Sequence, residues 1–128
     1  MELGEATNAT IAVQAELAPK IEAALREDGF LFQQAGAARG AAEAAVLIAV
    51  SVSSIVSLCL LAEKLRRLRL PRTYIYLGPG EPDIRVDEGM PDGRIVVVGP
   101  NGVEQLLDEE ISVAALQKAL RASPPQDA

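Results

Sequence analysis

The chain has 128 residues and a formal charge of −6, and 49% of its residues are hydrophobic. That length suits one domain with its own core, and the negative charge argues against general binding of nucleic acid. The absence of histidine excludes Ser-His-Asp and Cys-His catalysis and histidine-ligated metals, and the single cysteine excludes structural zinc. We therefore expect one small non-enzymatic domain over residues 1–121, without cofactor or metal, and a disordered tail at residues 122–128.

The N-terminal part alternates between residues that favour strands and residues that favour a helix. Leu17, Ile21 and Leu25 are spaced by four positions and share one face with Ala24, whereas the charged residues of the segment lie mostly elsewhere, which predicts an amphipathic helix. Pro19 is compatible only with the first turn of that helix, and Gly29 is a natural end. The predicted elements are a strand at residues 10–14, a helix at 15–28 and a short strand at 30–34.

The central part is a long segment rich in alanine, leucine and valine, and it predicts one helix from about residue 36 to residue 70, ended by Pro71. Within it, small residues recur at every fourth position and would form a ridge for close helix packing. The residues of this ridge are Ala37, Ala41, Ala45, Ala49, Ser53 and Ser57.

This central helix has two interpretations. Residues 44–62 are uncharged and approach the length of about 20 residues that a membrane span requires. The cations that follow would then place the C-terminal half in the cytoplasm, next to the inner membrane. A helix that is apolar on all sides is equally the centre of a soluble domain. We favour the soluble, cytoplasmic interpretation because it gives the small C-terminal strands a core on which to pack.

The C-terminal part has the alternation and the turn residues of a sheet. We expect an antiparallel meander of three or four strands and a closing helix with one apolar face. The predicted strands are residues 73–77, 83–86, 94–98 and 103–107, and the helix covers residues 108–121. The expected fold is α+β: a long apolar central helix packs against a three- to four-stranded, mainly antiparallel sheet, with flanking N- and C-terminal helices.

Two groups of side chains are candidates for interaction with a partner. Tyr74 and Tyr76 share one face of their predicted strand, which suggests a partly buried edge or an interface. A cluster of cations around the end of the long helix is predicted to meet an acidic surface, which could belong to a partner, to the acidic C-terminal half of the chain or to anionic lipid. The cations are Lys64, Arg66, Arg67, Arg69 and Arg72. The expected partners are other proteins or further copies of the chain, in a homo-oligomer or a hetero-complex, and no nucleic acid.

The order of these features resembles the small effector-associated constant component domains of bacterial conflict systems. The resemblance rests on "AARGAAEAAVLIAVSVSSIVSLCLLAEKLRRLR" (residues 37–69) and on "PDGRIVVV" (residues 91–98), and it extends over nearly the whole chain. The segment "GPGEPDIRVDEGM" departs from the pattern as an insertion before the hairpin, and the N-terminal strand is weak. The resemblance implies an adaptor that links sensing components to effectors by protein–protein contact, and it provides no active-site residues.

Overall fold

The computed structural model describes residues 7–38, 45–77, 81–87, 89–90, 92–100, 102–107 and 111–121. The predicted tail at residues 122–128 lies outside these ranges. The described elements in chain order are β1 (Thr7–Gln14), α1 (Ala18–Glu27), β2 (Phe32–Ala38), β3 (Ala45–Val52), α2 (Ile55–Arg67), β4 (Arg72–Tyr76), β5 (Asp83–Asp87), β6 (Ile95–Val98), β7 (Glu104–Leu107) and α3 (Val113–Arg121).

The strands form one mixed sheet in the order β2-β3-β1-β5-β4-β6-β7. The pairs β2–β3, β3–β1, β5–β4 and β6–β7 are antiparallel, whereas β1–β5 and β4–β6 are parallel. Because β3 is antiparallel to both β1 and β2, those two strands run in the same direction, and α1 is the crossover between them. In the same way, α2 connects β3 to the parallel strand β4.

The core lies between one face of the sheet and the helices. On β1, Ile11 and Val13 are almost completely buried, and on α2, Leu61 is completely buried. These residues belong to a single apolar cluster to which all three helices contribute. The register places the alternate residues of each strand on the opposite side of the sheet, which we call the open face.

The predicted long helix is wrong. Residues 45–52 form β3, and the helix α2 begins only at Ile55. The boundary is set by Ser54, whose extended backbone and side-chain oxygen cap the helix: the Ser57 N–H donates to Ser54 Oγ at 3.2 Å. Among the described residues, no helix combines the length and apolar character that crossing a membrane requires. Of the segment at residues 44–62 that we considered as a span, the described residues 45–62 are therefore divided between β3 and the first part of α2.

The predicted fold class is wrong for the same reason. The sheet has seven strands, three of which come from the N-terminal half of the chain. The helix α2, in the middle of the chain, has only 13 residues. The C-terminal strands are also not a simple meander. Their positions are confirmed to within a residue or so, but β4 pairs with β6 in parallel, so β5 and β6 lie on opposite sides of β4.

The predicted helix and turn signals near the N-terminus are confirmed. Pro19 lies in the first turn of α1, and Ile21 and Leu25 face the core. Gly29 has a φ of +77°, and the N–H of Phe30 donates to the carbonyl of Leu25 at 2.9 Å. This is the hydrogen-bond pattern with which helices commonly end at a glycine in the left-handed conformation.

Candidate functional site

The open face is the side of the sheet that lies away from the three described helices. One row of side chains crosses it on five adjacent strands: Ala12, Arg85, Tyr74, Val96 and Leu106. A sheet face in contact with water usually carries polar residues. This row is apolar or aromatic in every member except Arg85, so this part of the open face has the composition of a surface that a partner can cover.

The apolar character is greatest where β4, β6 and β7 adjoin. Val96 is only 7% exposed although it lies outside the core beneath the helices, and neighbouring Leu106 is 42% exposed. The rings of Tyr74 and Tyr76 stack with their centroids 6.1 Å apart, so the prediction that they share a strand face is confirmed. Their strand is not an edge, because β4 lies between β5 and β6.

Charged side chains surround this apolar centre and are matched in sign. Arg85 pairs with Asp83 at 3.1 Å, and its guanidinium carbon lies 5.6 Å from the ring centroid of Tyr76. Arg72 pairs with Asp92, with 2.9 Å between Nε and Oδ2. Asp92, assisted by Tyr74, raises the pKa of Arg72, and Arg72 in turn lowers the pKa of Asp92. The open face therefore carries both signs of charge side by side.

A second surface lies on the outer side of α2, and we call it the α2 ridge: Val56, Leu60 and Arg67. Val56 and Leu60 are 52% and 59% exposed. They lie four positions apart and therefore on the same side of the helix, away from the leucines that enter the core. Next to Leu60 is a groove of about 310 Å³ whose apolar wall includes Phe30. Two exposed aliphatic side chains beside a groove form a natural anchor point for a partner.

The charged end of the α2 ridge is organised by Glu63. This carboxylate accepts from Arg66 Nε at 2.6 Å, from Arg67 Nε at 3.1 Å and from the Ile111 N–H at 3.0 Å. The hydrogen bonds from Arg66, and then those from Ile111 and Arg67, lower the pKa of Glu63 from 4.5 to about 2, although partial burial acts in the opposite direction. Arg67 remains 68% exposed and presents its positive charge to solvent beside Leu60.

Known proteins provide no template for either surface. No family model, curated protein or solved structure matches the chain. Within the ranges that the structure describes, no group of three or more His, Cys, Asp or Glu side chains is arranged to hold a metal ion. The open face and the α2 ridge are therefore the two surfaces from which a function can be inferred.

The predicted interaction residues are divided between the two sides of the molecule. Arg72 lies on the open face with the two tyrosines, whereas the other cations lie in or just after the last turns of α2. Lys64 is only 16% exposed and connects α2 to α1, with its Nζ 3.2 Å from Asp28 and 3.4 Å from Glu27. Arg69 follows the helix with a φ of +53° and is exposed. Arg67 and Arg69 are thus the most accessible cations of the predicted cluster, and their role in binding stays a prediction.

The predicted ridge of small residues does not exist as a helix surface. Its positions are shared among different elements: Ala37 lies in β2, Ala45 and Ala49 lie in β3, Ser53 lies between β3 and α2, and Ser57 lies in α2. Ala41 is outside the described residues. The four-residue spacing therefore has no packing role of the kind we expected.

Several residues of the two surfaces were missed by the sequence reasoning. The Glu63 pairing had a visible signal, because Arg66 and Arg67 follow it at the helical spacings of three and four. No sequence signal indicated that Leu60 is exposed, because its side of the helix could be assigned only once the limits of α2 were known. The row of side chains that crosses the open face through Val96 depends on the parallel pairing of β4 with β6, and no local sequence pattern predicts that pairing.

Proposed function

We propose that the chain is a non-enzymatic protein–protein interaction module that acts as an adaptor in a bacterial defence or conflict system. The observation that carries the proposal is the α2 ridge, where the exposed Leu60 borders a groove and Val56 is exposed one helical turn away. Aliphatic side chains in such a position lose contact with water when a partner covers them, which favours association. The resemblance to effector-associated constant components supports the same style of function.

The charges around the α2 ridge indicate the kind of protein that would bind. Arg67 and Arg69 are exposed at the end of α2, although the chain as a whole is negative. An acidic partner surface with an apolar side chain for the groove would complement this arrangement. Opposite charges at the rim of an interface mainly increase the association rate and the selectivity for the partner, and salt weakens their effect.

The test begins with affinity capture from cells that produce the protein, followed by binding measurements with the purified partner. We expect Leu60→Ser and Arg67→Glu each to weaken binding by about tenfold or more, and Arg67→Glu also to reduce its dependence on salt. Leu31→Ser is the matched control, because Leu31 is 75% exposed, immediately precedes the edge strand β2 and does not line the groove beside Leu60. Unchanged binding by both ridge variants would refute the proposed role of this surface.

A further inference from the structure

The open face has the composition of the centre of an interface. Tyr74 and Leu106 flank Val96, which is only 7% exposed although it does not belong to the core cluster. Aromatic and aliphatic residues of this kind are enriched in the fully covered centre of protein interfaces. The groove and the exposed leucine on the α2 ridge lie on the other side of the molecule, so this face requires a separate explanation.

The charge pattern of this face favours a second copy of the same chain as its occupant. Two chains that each carry a charge of −6 repel one another in general. On the central strands of the open face, however, Arg85 alternates with Asp83 and Asp87, and Arg72 is paired with Asp92. In a two-fold symmetric interface, the same surface of both copies is in contact. A surface that carries both signs of charge can place its basic groups opposite the acidic groups of the second copy.

The size and shape of the face agree with this occupant. Seven strands about 4.8 Å apart are about 29 Å wide, and strands of four to eight residues are about 13–26 Å long. The corresponding planar area is on the order of 500 Å², and side-chain relief increases the accessible area towards the roughly 800 Å² per partner of a standard interface. A second sheet face of the same size, packed about 10 Å away, would cover it completely.

We propose that the open face is a two-fold symmetric dimer interface, in which the sheets of two copies of this chain pack face to face. The Tyr74–Tyr76 stack lies near the centre of the contact, next to the charged residues of the middle strand β5, and Leu106 lies towards the edge of the sheet at β7. The dimer would leave the α2 ridge of each copy exposed on opposite outer sides. The inference is independent of the proposed partner at the ridge, because it concerns the other side of the sheet.

The experiment is sedimentation equilibrium of the purified full chain from low to high micromolar concentration, with light scattering as a second measurement. We expect a mass of two chains of 13.5 kDa each. Leu106→Arg and Thr10→Arg place a new charge on the open face from two different strands, and each should raise the dimer dissociation constant by about tenfold or more. Circular dichroism and thermal unfolding establish which variants are folded, and either folded variant is sufficient for the test.

Leu60→Arg is the matched control, because it places the same charge on the α2 ridge and should leave the dimer intact. A wild-type chain that is monomeric at high micromolar concentration overturns the proposal, and the face would then be covered by another protein or by another part of the chain. A dimer that is unaffected by a folded open-face variant, or that dissociates with Leu60→Arg alone, overturns it as well. If the chain forms the dimer but the ridge variants do not weaken binding of the captured partner, only the proposed adaptor function is refuted.

Discussion

At the scale of single residues, Glu63 and Cys59 determine how α3 is held against α2. The Ile111 N–H donates to Glu63 Oε1 at 3.0 Å, and Cys59 Sγ donates to the Ile111 carbonyl at 3.2 Å. Ile111 is only 4% exposed, so both its backbone groups would lack a partner in a buried place if α2 did not provide one. Two side chains of one helix thereby satisfy the backbone that leads into the next helix.

The charge of Glu63 should make this connection dependent on pH. We expect Glu63→Gln to lower the free energy of unfolding at neutral pH by about 1–3 kcal/mol, because the charge-assisted hydrogen bonds are lost. The folded pKa of about 2 lies below the value of 4.5 for an unperturbed glutamate. The contribution of Glu63 is therefore complete above pH 4.5 and lost as the pH falls towards 2.

Denaturant unfolding of both proteins across this pH range measures the effect. The difference between wild type and Glu63→Gln should be largest at neutral pH and should shrink as the solution becomes more acidic than pH 4.5. The exposed Glu16, changed to glutamine, is the control and should have little effect at any pH. A difference that stays constant down to pH 2 would contradict the assigned role of the carboxylate.

At the scale of elements, the junction between β3 and α2 is the feature that distinguishes this fold from the one we predicted. Four β-branched residues alternate along β3: Val46, Ile48, Val50 and Val52. This alternation is a strand signal. It was obscured because the intervening Leu47 and Ala49 are also apolar, so Ser51 is the one polar residue of the strand and the segment is nearly as apolar as a buried helix.

Ser54 provides a test of that junction. We expect Ser54→Ala to lower the free energy of unfolding by about 1 kcal/mol, because the N–H of Ser57 loses its acceptor at the start of α2. Ser53→Ala should change stability by only a few tenths of a kcal/mol, since Ser53 is exposed and its hydroxyl forms an exposed hydrogen bond with the hydroxyl of Ser57. Thermal and denaturant unfolding measure both. Alanine stabilises the interior of a helix, so a stabilising effect of Ser54→Ala would contradict the assignment of Ser54 as the residue that caps α2.

At the scale of the whole molecule, the three helices cover one face of a single sheet and share one core. Leu25 of α1 and Leu116 of α3 are both completely buried, although they lie on helices at opposite ends of the chain. Both belong to the same apolar cluster as the leucines of α2. The fold should therefore lose its structure as one unit.

Removing a buried side chain from α1 or from α3 should therefore destabilise the whole domain to a similar extent. We expect Leu25→Ala and Leu116→Ala each to lower the free energy of unfolding by about 2–4 kcal/mol within a single transition. Circular dichroism and calorimetry detect whether the transition remains single. The exposed Leu31, changed to alanine, should have little effect. A separate early transition in Leu116→Ala alone would show that α3 is not an integral part of the core.

Most of the secondary structure could be predicted from local sequence, but the fold could not. The strands after Pro71 have short-range alternation and turn residues, and the Tyr74–Tyr76 spacing is sufficient to place both rings on one face. Local sequence does not indicate which strands lie next to one another in the sheet. Tyr74 and Val96 are neighbours because β4 pairs in parallel with β6, although β5 lies between these two strands in the sequence. Such pairings are set by the packing of the whole sheet rather than by nearby residues. The composition of the open face therefore became visible only in the structure.

The parallel pairing of β1 with β5 also bears on how the chain becomes a sheet as it leaves the ribosome. This pairing covers only three residue pairs, and it is reinforced where the Asn8 N–H donates to Glu81, 73 positions further along the chain. Because synthesis proceeds from the N-terminus, β1, β2 and β3 emerge well before β5 does. Until then, β1 is an unpaired strand edge of the nascent protein, and unpaired edges are the places where other chains attach. Closure of this long loop is therefore the step at which folding competes with aggregation during synthesis.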